Sequence, residues 1–279
     1  MPAWRARPAS LLAFLGLAVL HVPNAVSAQT VDLVDRSALR VCADPANLPF
    51  SNKKGEGFEN RLAELIAEKL SVPVLYTWFP QATGFIRNTL RAHKCDLVMG
   101  YAQGQELVQN TNHYYRSAYV LLTRADSDLA GVERLDDPRL KDKRIGIIAG
   151  TPPATIMALN GLIGKAKAFQ LVVDRRFFSP AEEMVSEIVK GDLDAGILWG
   201  PIGGYYAKLS GDKLSVVPLT KETKGPRMTY RITMGIRPNE RDWKHRLNRL
   251  IAANQDEINS ILLDFGVPIL DENNNLITK

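Results

Sequence analysis

Cysteine is scarce in this chain, with two in 279 residues, and histidine numbers four. Cys42, Cys95, His93, His113 and His245 stand at no ligand-like spacing, so a zinc site built from paired Cys and His has no pattern to rest on. GxxxxGK[ST] phosphate loops, GxSxG elbows and GxGxxG fingerprints are missing too. That removes the sequence basis for P-loop, α/β-hydrolase and dinucleotide chemistry. The acidic stretches GEGFEN (55–60) and DENNN (271–275) do not have the ligand spacing of a calcium loop. Beyond the first 28 residues no apolar run approaches the roughly 18 residues a membrane helix needs. Neither charge sign dominates: the formal net charge is +5.

What is present starts with a leader. Arg5 and Arg7 precede the apolar run LLAFLGLAVL (11–20), and Val26-Ser27-Ala28 offers small residues for cleavage. Residues 1–28 thus read as a secretory signal, with His21 inside it. Without Arg5 and Arg7 the net charge falls from +5 to +3, which is no argument for nucleic acid. An exported chain with two Cys reads as one disulfide, Cys42 to Cys95, if ALRVCAD and CDLVMG are neighbouring parallel strands. Two buried free thiols are the other reading.

Short apolar runs alternate with helix-period segments along the rest of the chain. ALRVCAD (38–44), the helical GFENRLAELIAEKL (57–70), VLYTWF (74–79), a helix around 85–93 and CDLVMG (95–100) make one βαβαβ unit. RIGIIAG (144–150), a helix near 153–163, FQLVV (169–173), SPAEEMVSEIVKG (179–191), DAGILWG (194–200) and LSVVPLT (214–220) make a second. Ser179, Pro180 and Glu182 have the chemistry of a capped helix start. SAYVLLTRAD (117–126) and MTYRITMGIRP (228–238) are long enough to cross from one sheet to another, and 239–266 reads as one long helical segment. The expected class is α/β with two lobes, residues 36–122 plus 228–279 and residues 127–223, joined by two hinge strands around a cleft.

GEGFENRLAELIAEKL, CDLVMG, IGIIAGTPPA and FFSPAEEMVSEIVKGDLDAGILWGPIGGYYAK together resemble, in that order, the amino-acid-binding branch of type II periplasmic solute-binding proteins. DPANLPFSN, MGYAQGQELVQNTNHYYRSAYVLLTR and ILWGPIGGYYA are similar to the MoxJ/XoxJ group, solute-binding-like proteins of methylotrophs encoded alongside quinoprotein alcohol dehydrogenases. The resemblance covers about 38–266. It implies a periplasmic, non-catalytic, monomeric binding protein without a cofactor of its own.

The departures from the transporter pattern carry the functional expectation. Amino-acid-binding members have an Arg after the strand equivalent to CDLVMG, and its guanidinium forks onto the ligand carboxylate. Leu107 falls at that place, and no Arg occurs between Gly100 and Tyr115. Their ammonium-binding Asp is replaced by Trp199. A free amino acid would bury two charges without partners, at a cost of several kcal/mol. The expected cleft residues are Asp44, Asn47, Phe50, Phe58, Glu59, Tyr101, Gln103, Thr151, Trp199 and Tyr205, a set suited to a large neutral ligand or a peptide segment. Three functions follow as expectations. The first is an accessory factor for maturation or activation of a methanol dehydrogenase that uses pyrroloquinoline quinone, with that enzyme or its cytochrome c as partner. The second is a transporter receptor for a small ligand other than an amino acid. The third, and weakest, is an enzyme using Glu59 or Asp44 as general acid or base.

Overall fold

In the computed structural model the described residues are 1–3, 33–104, 106–211 and 213–278. Apart from its first three residues, the expected signal lies outside them. Chain order begins with β1 (Leu39–Ala43), the short β2 (Ala46–Asn47) and β3 (Ser51–Asn52), α1 (Phe58–Leu70), β4 (Val74–Trp78), α2 (Phe85–Asn88) and β5 (Leu97–Ala102). The apolar stripe expected on α1 is the buried one: Phe58, Leu62, Leu65 and Ile66 face the core. The helix expected over 85–93 stops after four residues at Asn88. Thr89 leaves helical geometry and turns its hydroxyl back to the Phe85 carbonyl, 2.6 Å away.

β6 (Gln109–Arg124) then runs for 16 residues and begins well before the expected 117. After it come β7 (Ile145–Ile148), α3 (Pro152–Leu159), β8 (Lys167–Phe169), α4 (Pro180–Lys190), β9 (Ala195–Trp199), α5 (Gly200–Leu209) and β10 (Leu214–Pro218). FQLVV is not a strand. β8 ends at Phe169, and Leu171 and Val172 are exposed. α4 starts as its sequence indicates, with the Ser179 hydroxyl accepting from the Glu182 N–H and Pro180 in the first turn. The chain closes with β11 (Thr229–Ile236), α6 (Arg241–Ala253) and α7 (Gln255–Asp264). The long helical segment is thus two helices, broken at Asn254, whose side-chain amide donates to the Leu250 carbonyl at 2.7 Å.

The nine-stranded sheet has the order β4-β1-β5-β11-β6-β9-β7-β8, with β10 also paired to β6. β6 is the shared strand. Residues 109–118 pair with β11, while 119–123 pair with β9 and 120–124 with β10. β11 differs from the expected crossing strand, because its partners are β5 and the first part of β6 only. The return crossing is made instead just before it, where Met228 accepts from the Tyr119 N–H at 3.0 Å and packs with the second core.

The apolar cores follow from strand alternation, since successive side chains point to opposite faces. Along β6, Leu121 joins a core with Ile145, Ile147, Ile156 and Ile197, while Val120 and Leu122 join Met184, Ile188 and Leu198 on the other face. The other half has its own pair of cores. Leu39, Val41, Phe58, Leu62 and Trp243 lie on one face, and Phe85, Ile86, Leu90 and Val98 on the other. Cys42 and Cys95 sit in the latter core and form a disulfide, their Cα atoms 5.5 Å apart. Both halves are therefore sheets covered by helices on two faces.

α5 is seated against the end of α7 by a close backbone approach. A Cβ at Gly204 would stand 2.0 Å from the Gly266 carbonyl oxygen, so only glycine fits. The Ser117 hydroxyl donates to the Pro268 carbonyl at 2.8 Å, tying the same segment to β6. This contact fixes the helix that carries much of the cleft wall.

Candidate functional site

A cavity of about 700 Å³ opens beside the C-terminal ends of β7 and β9, the side of an open α/β sheet where ligands bind. One wall is the loop after β1, with Asn47, Leu48, Lys53 and Lys54. The other holds Thr151, Leu198, Trp199, Ile202 and Tyr206. A second cavity of about 620 Å³ adjoins it, sharing Pro45, Ala46, Leu171, Arg175 and Arg176 with the first.

Aromatic rings meet at the point where β6 passes between its two sets of partners. The ring of Trp199 lies 5.4 Å from Tyr119 and 5.8 Å from Tyr230, both edge to face. Tyr119 is 6.4 Å from Tyr230, and such pairs add packing beyond area alone. Burial pushes the Tyr119 phenol up to about 12, with Tyr230 adding to it. Both Trp199 and Tyr119 line the larger cavity. Tyr206 also lines it, its hydroxyl 3.1 Å from that of Ser179 at the start of α4. Burial raises the Tyr206 pKa, and the Ser179 hydrogen bond works against that rise.

Of the expected residues, Asn47, Thr151 and Trp199 line the larger cavity and Asp44 the smaller. Asn47 donates to the Gln81 side chain at 3.1 Å, and Thr151 turns its hydroxyl to the Ile148 carbonyl at 2.6 Å. Asp44 organises its loop: its two carboxylate oxygens accept from the Ala46 N–H at 2.9 Å and the Gln81 N–H at 2.7 Å. The remaining residues lie elsewhere. Phe58 is a fully buried core residue packed on Phe50, Tyr115 and Phe265, with ring centroids at 5.2, 6.3 and 6.0 Å. Phe50 belongs to the same core. Tyr101 packs on the core beside the disulfide, and Gln103 is on an exposed turn.

Glu59 lies against β5, where a Cβ at Gly100 would come within 2.1 Å of its Oε1. Burial, reinforced by the charge of Asp44, pushes its carboxyl up to about 8. It lines neither of the two cavities. Tyr205 stacks on Phe265 at 6.2 Å, and its neighbour Tyr206 takes the cavity position. The reason is helical register: with α5 starting at Gly200, Ile202 and Tyr206 share a face at i and i+4. That register was the one signal in the sequence that could have separated the two tyrosines.

Leu107, at the expected place of the carboxylate clamp, is 50% exposed and outside the cavities. The expected set of aromatics, amides and acids contained no cation, and the structure adds several. Lys53, Lys54, Arg175 and Arg176 line the larger cavity, against Glu182 as its carboxylate. These cations come from loops whose approach no local pattern encodes.

Two helix-covered sheet halves sharing a strand, with a cleft at the strand ends, define a type II periplasmic binding protein. The chain belongs to the bacterial extracellular solute-binding proteins, family 3, whose model matches residues 39–262. It is 31% identical over 255 residues to Protein MoxJ of Methylorubrum extorquens, covering 86% of this chain and 84% of that protein. It is 25% identical over 251 residues to Protein MoxJ of Paracoccus denitrificans, covering 85% and 91%. The crystal structure of periplasmic binding protein XoxJ from Methylobacterium extorquens AM1 superposes with a TM-score of 0.72 at 43% identity, covering 84% of this chain and 100% of that one.

Proposed function

We propose that this protein is a non-catalytic periplasmic accessory factor of a methanol dehydrogenase that uses pyrroloquinoline quinone, acting in maturation or activation of that enzyme. The observation that carries the reading is the likeness to XoxJ over that protein's whole length. The cleft agrees with it: an indole stands at the end of β9, and β5 supplies no guanidinium. The cleft holds a segment of the immature dehydrogenase and, by binding one conformation better than another, shifts the enzyme toward the state that accepts its cofactor.

Calorimetry of the mature protein with purified methanol dehydrogenase, beside a panel of free amino acids, tests this. Saturable dehydrogenase binding with no amino-acid heat is the expected result. Sub-micromolar binding of a free amino acid, without dehydrogenase binding, would make the protein a transporter receptor instead.

A further inference from the structure

We infer that the cleft is built for an extended, acidic segment of a partner protein that also carries an apolar anchor. The inference rests on the cleft being the partner site and adds the chemistry of what enters it.

The first observation is the segment after β8. Leu171, Val172, Phe177 and Phe178 are apolar, yet 51%, 76%, 83% and 44% exposed. This is a strap of large apolar side chains beside the cleft, of the kind that marks an interaction site. The strap has a defined local shape. Phe177 N–H donates to the Asp174 carbonyl at 3.1 Å, and Arg176 forks onto the Asp174 carboxylate at 2.9 and 2.6 Å.

The second observation is charge. That fork neutralises Arg176, whereas Lys53, Lys54 and Arg175 have no carboxylate partner among the described residues. Lys53 and Lys54 stand on one wall of the larger cavity and Arg175 on the other. Glu182 is the opposing carboxylate in that cavity. In the smaller one, Asp44 is occupied by two backbone N–H groups and Asp174 by Arg176. The trough is net positive, and a complementary occupant carries carboxylates.

The third observation is extent. The two cavities adjoin, with Pro45, Leu171 and Arg175 in both linings, and together exceed the size of a single small-ligand pocket. The apolar strap continues past them to Phe177, which lines neither. A small polycarboxylate inside the trough leaves Phe177 uncovered. An extended chain does not, because its alternate side chains point to opposite sides, one set to the cations and the other to apolar surface.

The test uses two synthetic probes, a labelled peptide of alternating Glu and Phe or Trp and the same peptide with Lys in place of Glu. Fluorescence anisotropy is read with the wild-type protein, the triple variant K53E/K54E/R175E and the double variant V172S/F177S. Far-UV circular dichroism and Tm confirm that each variant is folded. The wild type is expected to prefer the acidic peptide by roughly tenfold or more, with binding weakened between about 50 and about 500 mM salt. The triple variant should reverse the preference, and V172S/F177S should weaken the acidic peptide severalfold. Equal binding of both peptides, or an unchanged triple variant, overturns the inference. Full competition by citrate together with indifference to V172S/F177S also overturns it, in favour of a small polycarboxylate. The dehydrogenase itself separates the two levels. If it does not bind while the acidic peptide does, the proposed partner falls and the cleft chemistry stands. If it binds with no effect of salt or charge reversal, the cleft chemistry falls alone.

Discussion

Oε1 of Glu59 occupies space that any side chain at position 100 would need, 2.1 Å from where a Cβ on Gly100 would stand. The pair places an acid in the interior of the first half, next to Tyr114 and Tyr115, whose own pKa values burial and Glu59 raise.

Glu59 makes stability depend on pH in a defined direction. Its folded pKa, about 8, is above the ordinary value of 4.5 because burial, and then Asp44, disfavour the anion. Below that ordinary value both states hold the proton and the group contributes no slope. Between it and the folded value the unfolded chain releases the proton first, so stability falls as pH rises. The expected loss across the window is on the order of a few kcal/mol. Urea unfolding at pH 5 and 8, as about the ends of that window, should show the wild type losing more stability than Glu59→Gln. Parallel pH profiles of the two proteins would refute the assignment.

Trp199 is the expected anchor for the partner. Trp199→Ala should weaken dehydrogenase binding by about 2 kcal/mol or more, as central tryptophans do, with the far-UV spectrum preserved. Calorimetry reads the affinity. An unchanged dissociation constant removes the indole from the interface.

A buried ionic cluster ties β11 to β1 and β5. Asp96, 1% exposed, accepts from Arg40 at 2.7 and 2.8 Å and from Arg237 at 2.5 Å, while Arg237 also bonds Glu240 at 2.7 Å. Asp96→Ala leaves Arg237 with one buried partner fewer and should cost about 3–5 kcal/mol in denaturant unfolding. The exposed pair Lys221–Glu133 is the internal comparison. Lys221→Ala should change stability by about 1 kcal/mol or less.

The Cys42–Cys95 bridge closes a separation of 53 residues. Removing it in the double alanine variant should cost about 4 kcal/mol by loss of chain restriction. Mass spectrometry of alkylated, unreduced wild type should find neither thiol modified, and labelling of both would contradict the bridge.

Most of the architecture was legible because its causes are local. The stripe on α1, the Ser179 cap and Pro180 on α4, and the short runs that became β1, β5, β7 and β9 act over a few residues. The site was much less legible. Phe58 and Trp199 look alike as aromatics flanking glycine, yet one is sealed under Phe50 and Phe265 and the other lines a cavity.

By itself the sequence determined the α/β alternation in two units and the pair of cysteines available for a bridge in the first. Tertiary structure alone decided that Leu171 and Val172 stay exposed, that Tyr206 and not Tyr205 lines the cleft, and that Lys53 and Arg175 line the same cavity. The physical reason is range. Periodicity and capping are written into neighbouring residues, whereas burial and charge in a cleft are set by segments more than a hundred positions apart that only packing brings together.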